Sequence, residues 1–371
     1  MLLRTAILLS LAALTGAIVP ASSAVGAEPT AAPTALAGTS APTVHVDRRV
    51  ELLSILHRLI GHQAYTRAPL TPYVQAVDRT FGPFAGHPAV AATRALRASH
   101  SITWDAPMIL AVHLDDQLQL VNPEELPSLD ARFTGADVEG YVSMLRDFAE
   151  VTRLDDFLAA HHPYVAQVEA TLRTMVEKED PVSWFDRFFG AQPKARYIVV
   201  PGLLTGTMNY GVRATLPDGT LEITQVLGVY AADGLPLNDD LSVTLLVHEM
   251  AHSYVNPLVA THRGALEAAG TRLFALVEEP MRQQAYDNWK TFVDESMVRA
   301  VVALYMWETR GEAAGQVEIA AQERRAFFWT SRLVGHLQRY QRERATFSDF
   351  AAFLPELVNA FDALAADPGQ R

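Results

Sequence analysis

The residues most suited to chemistry in this sequence are His248, Glu249 and His252, which form a His-Glu-x-x-His pattern. Positions four apart lie on one face of an α-helix, so the two imidazole rings could bind a single metal ion. Glu249 lies beside the first histidine and could act as a general base toward a water molecule. The pattern therefore predicts a hydrolase with one zinc ion, in which Glu249 is the catalytic residue.

The flanking sequence favours a buried helix for this pattern. The other residues of 245–251 are apolar, and residues 238–240 carry side chains that can cap a helix N-terminus. Asn256 precedes Pro257, and this pair is expected to end the helix. Two histidines and a glutamate would be unstable in a buried helix without partners, and a metal ion is the simplest partner. The alternative is a helix whose two histidines form ordinary hydrogen bonds.

A hydrolytic zinc site usually takes three protein ligands and keeps one position for water. The chain has no cysteine, so the third ligand must be a histidine or a carboxylate. We favour Glu295, which lies in a second amphipathic helical segment, where Asp294 or Ser296 could hold a ligand histidine. The alternative is a solvent-exposed Glu295 that pairs with Arg299 one helical turn later. Other downstream candidates for the third ligand are His262, Glu267, Glu278, Glu279 and Asp294.

Three further residues could support the transition state or hold the ligands in place. Tyr210, in the tripeptide Asn209-Tyr210-Gly211, could stabilise a developing oxyanion through its hydroxyl group. The same tripeptide is equally typical of a turn with a packed aromatic ring. Asp294 and Arg299 are the other two residues of this supporting set.

The N-terminal residues indicate export. Residues 1–27 have the pattern of a secretory signal peptide, with one early arginine, an apolar run and small residues before the cleavage site. An uncleaved membrane anchor is the alternative, but the apolar run is short and broken by Gly16 and Pro20. Without cysteine there is no lipid attachment site. We therefore expect a protein secreted or held outside the cell envelope, without stable membrane insertion after cleavage.

The remaining composition indicates a folded protein that does not bind nucleic acid. Residues 28–43 are rich in alanine, proline and threonine and predict a flexible linker. Of all residues, 49% are hydrophobic, which is enough for a full core in a chain of 371 residues. The net charge of −12 argues against nucleic acid, because that partner requires a basic surface.

The elements that must position the site divide into two parts. Residues 44–190 predict a helical N-terminal region, within which Glu51 is interpreted as a surface residue paired with Arg48, or alternatively as a buried functional carboxylate. Residues 197–200, 208–215 and 221–230 predict three strands just before the histidine helix. The predicted class is α+β and predominantly helical, with a small sheet followed by two ligand-bearing helices in residues 191–371. The sheet edge could pair with an extended peptide.

These motifs resemble the Glu-zincins, which are zinc metallopeptidases of the gluzincin type whose third ligand is a glutamate on a following helix. Over nearly the whole chain after the linker, the sequence also resembles a bacterial family defined only as a domain of unknown function. The segments that carry this second resemblance are Arg49-Val50-Glu51-Leu52, Asn209-Tyr210-Gly211, His248-Glu-x-x-His252-Ser253 with Asn256-Pro257, and Glu295-Ser296-x-Val298-Arg299-Ala300.

The resemblance implies a zincin-like domain over residues 191–371 and a metallopeptidase that acts on a peptide or protein substrate. The interval between His252 and Glu295 is wider than in the best-known Glu-zincins, which predicts an insertion between the two ligand helices. Two alternatives belong to other classes. One is a metal hydrolase of amides other than peptides, and the other is a binding or structural protein that contains a metal but does not catalyse.

Overall fold

The computed structural model describes residues 41–367, apart from residues 193, 229, 230 and 232. The predicted signal peptide and residues 28–40 of the predicted linker lie outside the described residues, as does Tyr230 at the end of the third predicted strand. The described part of the chain is predominantly helical and contains a four-stranded sheet. The predicted class, α+β and mostly helical, is confirmed at this level.

Helices account for most of the N-terminal half, and all the regular secondary structure of the described residues after the sheet is helical. The α-helices of the described residues are α1 (Arg48–Leu59), α2 (Gln63–Thr66), α3 (Pro72–Phe81), α4 (Pro88–His100), α5 (Ala106–Val112), α6 (Leu126–Leu129), α7 (Val138–Val151), α8 (Leu154–Ala160), α9 (His162–Glu179), α10 (Pro181–Phe189), α11 (Asp240–Ala260), α12 (Arg263–Gln283), α13 (Trp289–Arg310), α14 (Glu312–Arg324), α15 (Thr330–Arg342) and α16 (Phe350–Ala366). Short 3-10 helices occupy Gly82–Phe84, Pro123–Glu125 and Ala131–Phe133.

The sheet has the strand order β1-β2-β4-β3 and mixed strand directions. Its strands are β1 (Thr43–Val44), β2 (Ala195–Gly202), β3 (Tyr210–Thr215) and β4 (Leu221–Gly228). β1 and β4 both run parallel to β2, whereas β3 is antiparallel to β4. β3 therefore lies at one edge of the sheet. The short strand β1 was not predicted, since its two residues carry too little pattern, and it begins in the last residue of the predicted linker.

The sheet separates two hydrophobic clusters, which explains why β2 is apolar on both faces. Along β2, Tyr197 and Val199 pack into the C-terminal cluster, formed mainly by α9–α16. Ile198 and Val200 point the opposite way into the N-terminal cluster, formed mainly by α1–α8. This alternation follows from the two-residue period of a strand. His248 and His252 lie on the C-terminal side of the sheet, where their helix, α11, packs on β3 and β4.

Helix α11 begins where the sequence predicts and ends later. The Asp239 carboxylate caps it by accepting a hydrogen bond from the Ser242 backbone N–H. The predicted stop at Asn256 and Pro257 is wrong, because the helix continues to Ala260 with the proline inside it. Proline has no N–H, so the helix loses only the bond to the Ser253 carbonyl, and the apolar packing of α11 carries it through that position.

The insertion predicted between the two ligand helices is α12, which packs against α13 and α16. It contains Glu278 and Glu279, two of the other candidates for the third ligand. Beyond α13, residues 312–342 form two helices, α14 and α15, rather than one long helix. The break lies around Ala326, whose φ of 69° is incompatible with a continuous right-handed helix.

Glu51 is the clearest correction in the N-terminal region. The favoured interpretation, a surface residue paired with Arg48, is wrong because Glu51 is completely buried and Arg48 pairs with Asp155. The Glu51 carboxylate accepts a hydrogen bond of 2.8 Å from the Tyr73 hydroxyl. Burial raises the pKa of Glu51 to about 7, despite this hydrogen bond and one from the Leu203 backbone.

Candidate metal centre

Three donor atoms from two helices converge at one point. His248 Nε2 and His252 Nε2 lie 3.2 Å apart, Glu295 Oε2 lies 3.6 Å from His248 Nε2, and Glu295 Oε1 lies 3.4 Å from His252 Nε2. A tetrahedral zinc site with bonds of about 2.0–2.1 Å places neighbouring donor atoms about 3.3–3.4 Å apart. The three side chains are therefore spaced as three corners of a site that fits such an ion.

The convergence depends on the packing of α11 against α13. The four-residue spacing places both histidines on one face of α11, as predicted, and α13 passes beside that face. Asn288 caps α13 through a side-chain bond to the Thr291 backbone N–H. Residues 292–306 of α13 are all buried, so Glu295 cannot lie on a solvated helix face.

The other candidates for the third ligand lie elsewhere. Glu278 and Glu279 form hydrogen bonds along α12 with Arg282 and Gln283. Asp294 forms an ion pair of 2.5 Å with Arg263, rather than a hydrogen bond with a ligand histidine. Within the described residues, the group of histidine and carboxylate side chains close enough to hold one metal ion is His248, His252 and Glu295.

Arg299 pairs with the Glu295 carboxylate within α13. Its Nη2 lies 2.9 Å from Glu295 Oε2, as the four-residue spacing predicted, but the pair is buried rather than exposed. Arg299 also donates hydrogen bonds to the Tyr286 hydroxyl and to Gln322 Oε1, and its guanidinium group stacks 4.5 Å from the Phe327 ring centroid. These contacts fix the arginine, which in turn orients the carboxylate.

The charges of the three groups are strongly coupled. Burial alone would raise the pKa of Glu295, but Arg299 and the two histidines hold it below its usual range. Burial lowers the pKa of His248 to about 3, whereas the Glu295 carboxylate overcomes burial and raises the pKa of His252 to about 9. Two imidazole nitrogens 3.2 Å apart need a proton or a cation between them. Glu295 Oε2 is also buried without an aligned hydrogen bond. This donor set fits a divalent cation.

Asn256 orients one of the ligands. Its Oδ1 lies 3.3 Å from His252 Nδ1, one helical turn further along α11. An Nδ1–H donated to Asn256 leaves the Nε2 lone pair of His252 directed at the other donors. The sequence marked Asn256 only as part of a helix stop, so this role was missed, although a four-residue spacing from a ligand histidine was the available signal.

Glu249 lies next to the ligands on a different part of the helix surface. Its side chain is buried, and burial raises its pKa to about 7, although the charge of His252 acts in the opposite direction. The backbone N–H of Gly211 on β3 also lowers this pKa, because it approaches the carboxylate. A carboxylate with a pKa close to neutrality is suited to accept and return a proton.

Gly211 allows β3 to lie directly against α11. A Cβ atom at this position would lie 2.4 Å from the backbone oxygen of Glu249, which is closer than any real contact. The sequence singled out the tripeptide that contains Gly211 for its tyrosine and missed the glycine. The structure indicates that the absence of a side chain at Gly211 fixes the distance between strand and helix.

We expect Gly211→Ala to lower the free energy of unfolding by about 1–3 kcal/mol, because backbone must move to accommodate the methyl group. Urea denaturation of the metal-free protein measures this change. Gly335→Ala is the matched control, since a Cβ on α15 would meet nothing within 4 Å and alanine favours a helix. A Gly211→Ala protein as stable as the control would contradict the close approach of β3 and α11.

Tyr210 lies on the opposite face of β3 from Gly211. Its ring is buried in the N-terminal cluster, and its hydroxyl group lies beside that of Tyr65. Burial raises the pKa of both hydroxyl groups above their usual range. Of the three supporting residues suggested by the sequence, Arg299 therefore contacts a ligand, Asp294 contacts Arg263, and Tyr210 packs among apolar residues.

A cleft beside His252 lies between α11 and the edge strand β3. It contains about 680 Å³ of empty space, part of which is open solvent. One wall is β3, the second is α11 from His252 onward, and α5 of the N-terminal region contributes a third. The residues that line it are Ile109, Gly211, Val212, Arg213, His252, Ser253, Asn256 and Pro257.

Comparison with other proteins gives a family but no activity. The chain matches no curated protein and no solved structure. Within the described residues, none of the helices combines the length and the apolar character that crossing a membrane requires. A family match covers residues 42–360, which include the whole candidate metal centre and nearly all of the fold described above. The chain therefore belongs to the family described as Domain of unknown function (DUF4932).

Proposed function

We propose that this protein is a zinc-dependent metallopeptidase, with His248, His252 and Glu295 as the metal ligands and Glu249 as the general base. The observation that carries the proposal is the convergence of the three side chains, whose ligand atoms all lie within 4.8 Å of one another, as three ligands of one metal ion require. Structural zinc sites are usually closed by four protein ligands, so a set of three favours hydrolysis over a structural role.

The proposed reaction is the hydrolysis of a peptide bond. A zinc ion held by the three ligands would supply Lewis acidity at the scissile carbonyl and lower the pKa of water. Glu249 takes a proton from the attacking water at its buried carboxylate and later passes that proton to the leaving amine. Arg299 keeps Glu295 in place, and Asn256 keeps the Nε2 atom of His252 directed toward the site.

The edge of the sheet supports a peptide as substrate. β3 has one neighbour, β4, and no strand of the described residues pairs with its other side. An extended peptide could add there as a further strand, alongside the cleft that opens from His252. In this zincin-like arrangement the sheet edge would align the substrate, while α11 and α13 would supply the metal site. The N-terminal sequence supports a location outside the cell or on the exterior of the envelope.

Metal analysis combined with peptide digestion tests this function. We expect the purified protein to contain about one zinc ion per chain and to cleave members of a proteome-derived peptide library. Treatment with a chelator should abolish cleavage, and added zinc should restore it. A protein that is folded and metal-loaded but leaves every library peptide intact would overturn the assignment as a peptidase.

A further inference from the structure

Arg213 is a cation inside the cleft that the proposed reaction does not use. It lies on β3, two residues after Gly211, and lines the cleft together with His252 and Asn256. Residues two apart on a strand lie on the same face, so Arg213 follows Gly211 along the side of β3 on which α11 packs. Arg213 is therefore two residues along β3 from Gly211, the residue that contacts the backbone of Glu249.

The guanidinium group of Arg213 is half-buried and has no close anionic partner among the described residues. No oxygen atom of the described residues forms a hydrogen bond or an ion pair with it, whereas Arg299 and Arg263, near the metal ligands, are both paired with carboxylates. Burial lowers the pKa of Arg213 from its usual value, and the only opposing charge is that of Glu125, which is too far away for an ion pair. A half-buried cation without a partner is suited to binding an anion that enters the cleft.

The register of β3 places this cation beside the path of an extended peptide. Gly211 turns its N–H toward Glu249 rather than toward β4. The Leu216 N–H, by contrast, bonds to the Thr220 carbonyl across the hairpin. Along an antiparallel strand, the N–H and C=O groups of successive residues point alternately toward the neighbouring strand and away from it. The N–H and C=O groups of Arg213 therefore point away from β4, as those of Gly211 do. A peptide added to this edge would pass both residues.

We propose that Arg213 binds a carboxylate of the peptide substrate, so that the enzyme prefers a substrate with an acidic group on one side of the cleaved bond. Gly211 and Arg213 are separated by two residues, about 6.7 Å along a strand. Because Gly211 contacts Glu249, the proposed general base, the carboxylate bound by Arg213 should lie about two residues from the cleaved bond. It belongs either to an aspartate or glutamate side chain or to a free C-terminus. This inference rests on the proposed peptidase function, and it adds the class of substrate.

Digestion of a proteome-derived peptide library by the zinc-loaded protein tests the preference. We expect aspartate or glutamate, or the C-terminus itself, to be enriched at one fixed distance from the cleaved bond. For matched peptides with Asp and Asn at that position, kcat/KM should differ by about 10- to 100-fold. Arg213→Gln should remove most of this difference. Arg94→Gln removes the same charge from an exposed site and should leave the difference unchanged.

Two further arms separate the sources of the carboxylate and isolate binding from catalysis. Amidation of peptide C-termini should abolish the preference if the group is a free C-terminus and leave it intact if the group is a side chain. Binding of fluorescein-labelled, alanine-rich peptides that carry one Asp or one Asn is measured by fluorescence anisotropy with Glu249→Gln protein. Tighter binding of the acidic peptide should disappear when Arg213→Gln is added.

The outcomes distinguish this inference from the proposed function. Cleavage without any acidic preference, or a preference that persists in Arg213→Gln, would overturn the role of Arg213 and leave the peptidase function standing. Absence of cleavage by every protein would overturn the peptidase function. In that case the anisotropy experiment still decides whether Arg213 binds carboxylates, and equal binding of the two peptides would overturn that role as well.

Discussion

Replacing Glu249 with glutamine is expected to abolish peptide hydrolysis while zinc remains bound. Glutamine keeps the shape of the side chain but cannot take a proton from water, and a general base of this kind contributes about 10²- to 10⁴-fold to the rate. The proposed metal ligands are His248, His252 and Glu295, none of which changes in this variant. Metal content and kcat/KM, measured on the same preparation, test the prediction.

The Glu249→Gln variant should also fold as well as the wild type. The carboxylate it replaces is buried and has a raised pKa, so the loss of its charge removes a group that is unfavourable to bury. Glu267→Gln, at an exposed position on α12, is a matched control for the loss of one negative charge and should retain full activity. Equal turnover by the Glu249→Gln variant and the wild type would contradict the proposed mechanism.

The candidate metal-binding group could be predicted from sequence because its signal is mostly local. The spacing of His248 and His252 defines one helix face without any knowledge of the rest of the fold. The choice of Glu295 needed one further step, namely that the two histidines require a third ligand and that a carboxylate within an apolar helix must face something polar. The structure brings these three residues together, although no metal identity follows from their geometry.

The surroundings of the ligands could not be predicted because they depend on contacts between distant segments. Gly211 contacts the backbone of Glu249 from a different strand, and a single glycine in a sequence does not reveal which element approaches it. The local rule for Pro257 predicted a helix end, but tertiary packing stabilises the helix through that residue. Predictions from local sequence therefore failed where packing between elements determines the backbone conformation.

The environment of buried charged residues was the second feature that could not be predicted from the sequence. Glu51 and Glu295 look alike in sequence, since each is a carboxylate on an apolar helix with an arginine nearby. The structure buries both, but Glu51 faces the Tyr73 hydroxyl, whereas Glu295 faces Arg299 and the two histidines. The difference between the two environments comes from the side chains that a neighbouring helix brings close to each carboxylate. The same reasoning explains why the Tyr286 and Gln322 contacts of Arg299 were not foreseen.

Glu295→Ala is expected to weaken zinc binding and to destabilise the metal-free protein at the same time. Loss of a direct ligand should lower zinc affinity by more than the roughly 10- to 100-fold that loss of a residue supporting a ligand costs. Arg299 would also remain buried without its carboxylate, which costs about 3–5 kcal/mol. The lower end of that range is expected, because Arg299 keeps its hydrogen bonds to Tyr286 and Gln322. Chelator competition and urea denaturation measure the two effects.

A double variant separates the two roles of Glu295. Replacing both Glu295 and Arg299 with methionine removes the buried ion pair as a whole, and apolar replacement of such a pair is often neutral or stabilising. The double variant should therefore recover most of the stability lost in Glu295→Ala, while its zinc affinity stays low because the ligand is still missing. If Glu295→Ala binds zinc as tightly as the wild type, another side chain must complete the site. If stability falls but zinc affinity does not, Glu295 serves only to neutralise Arg299.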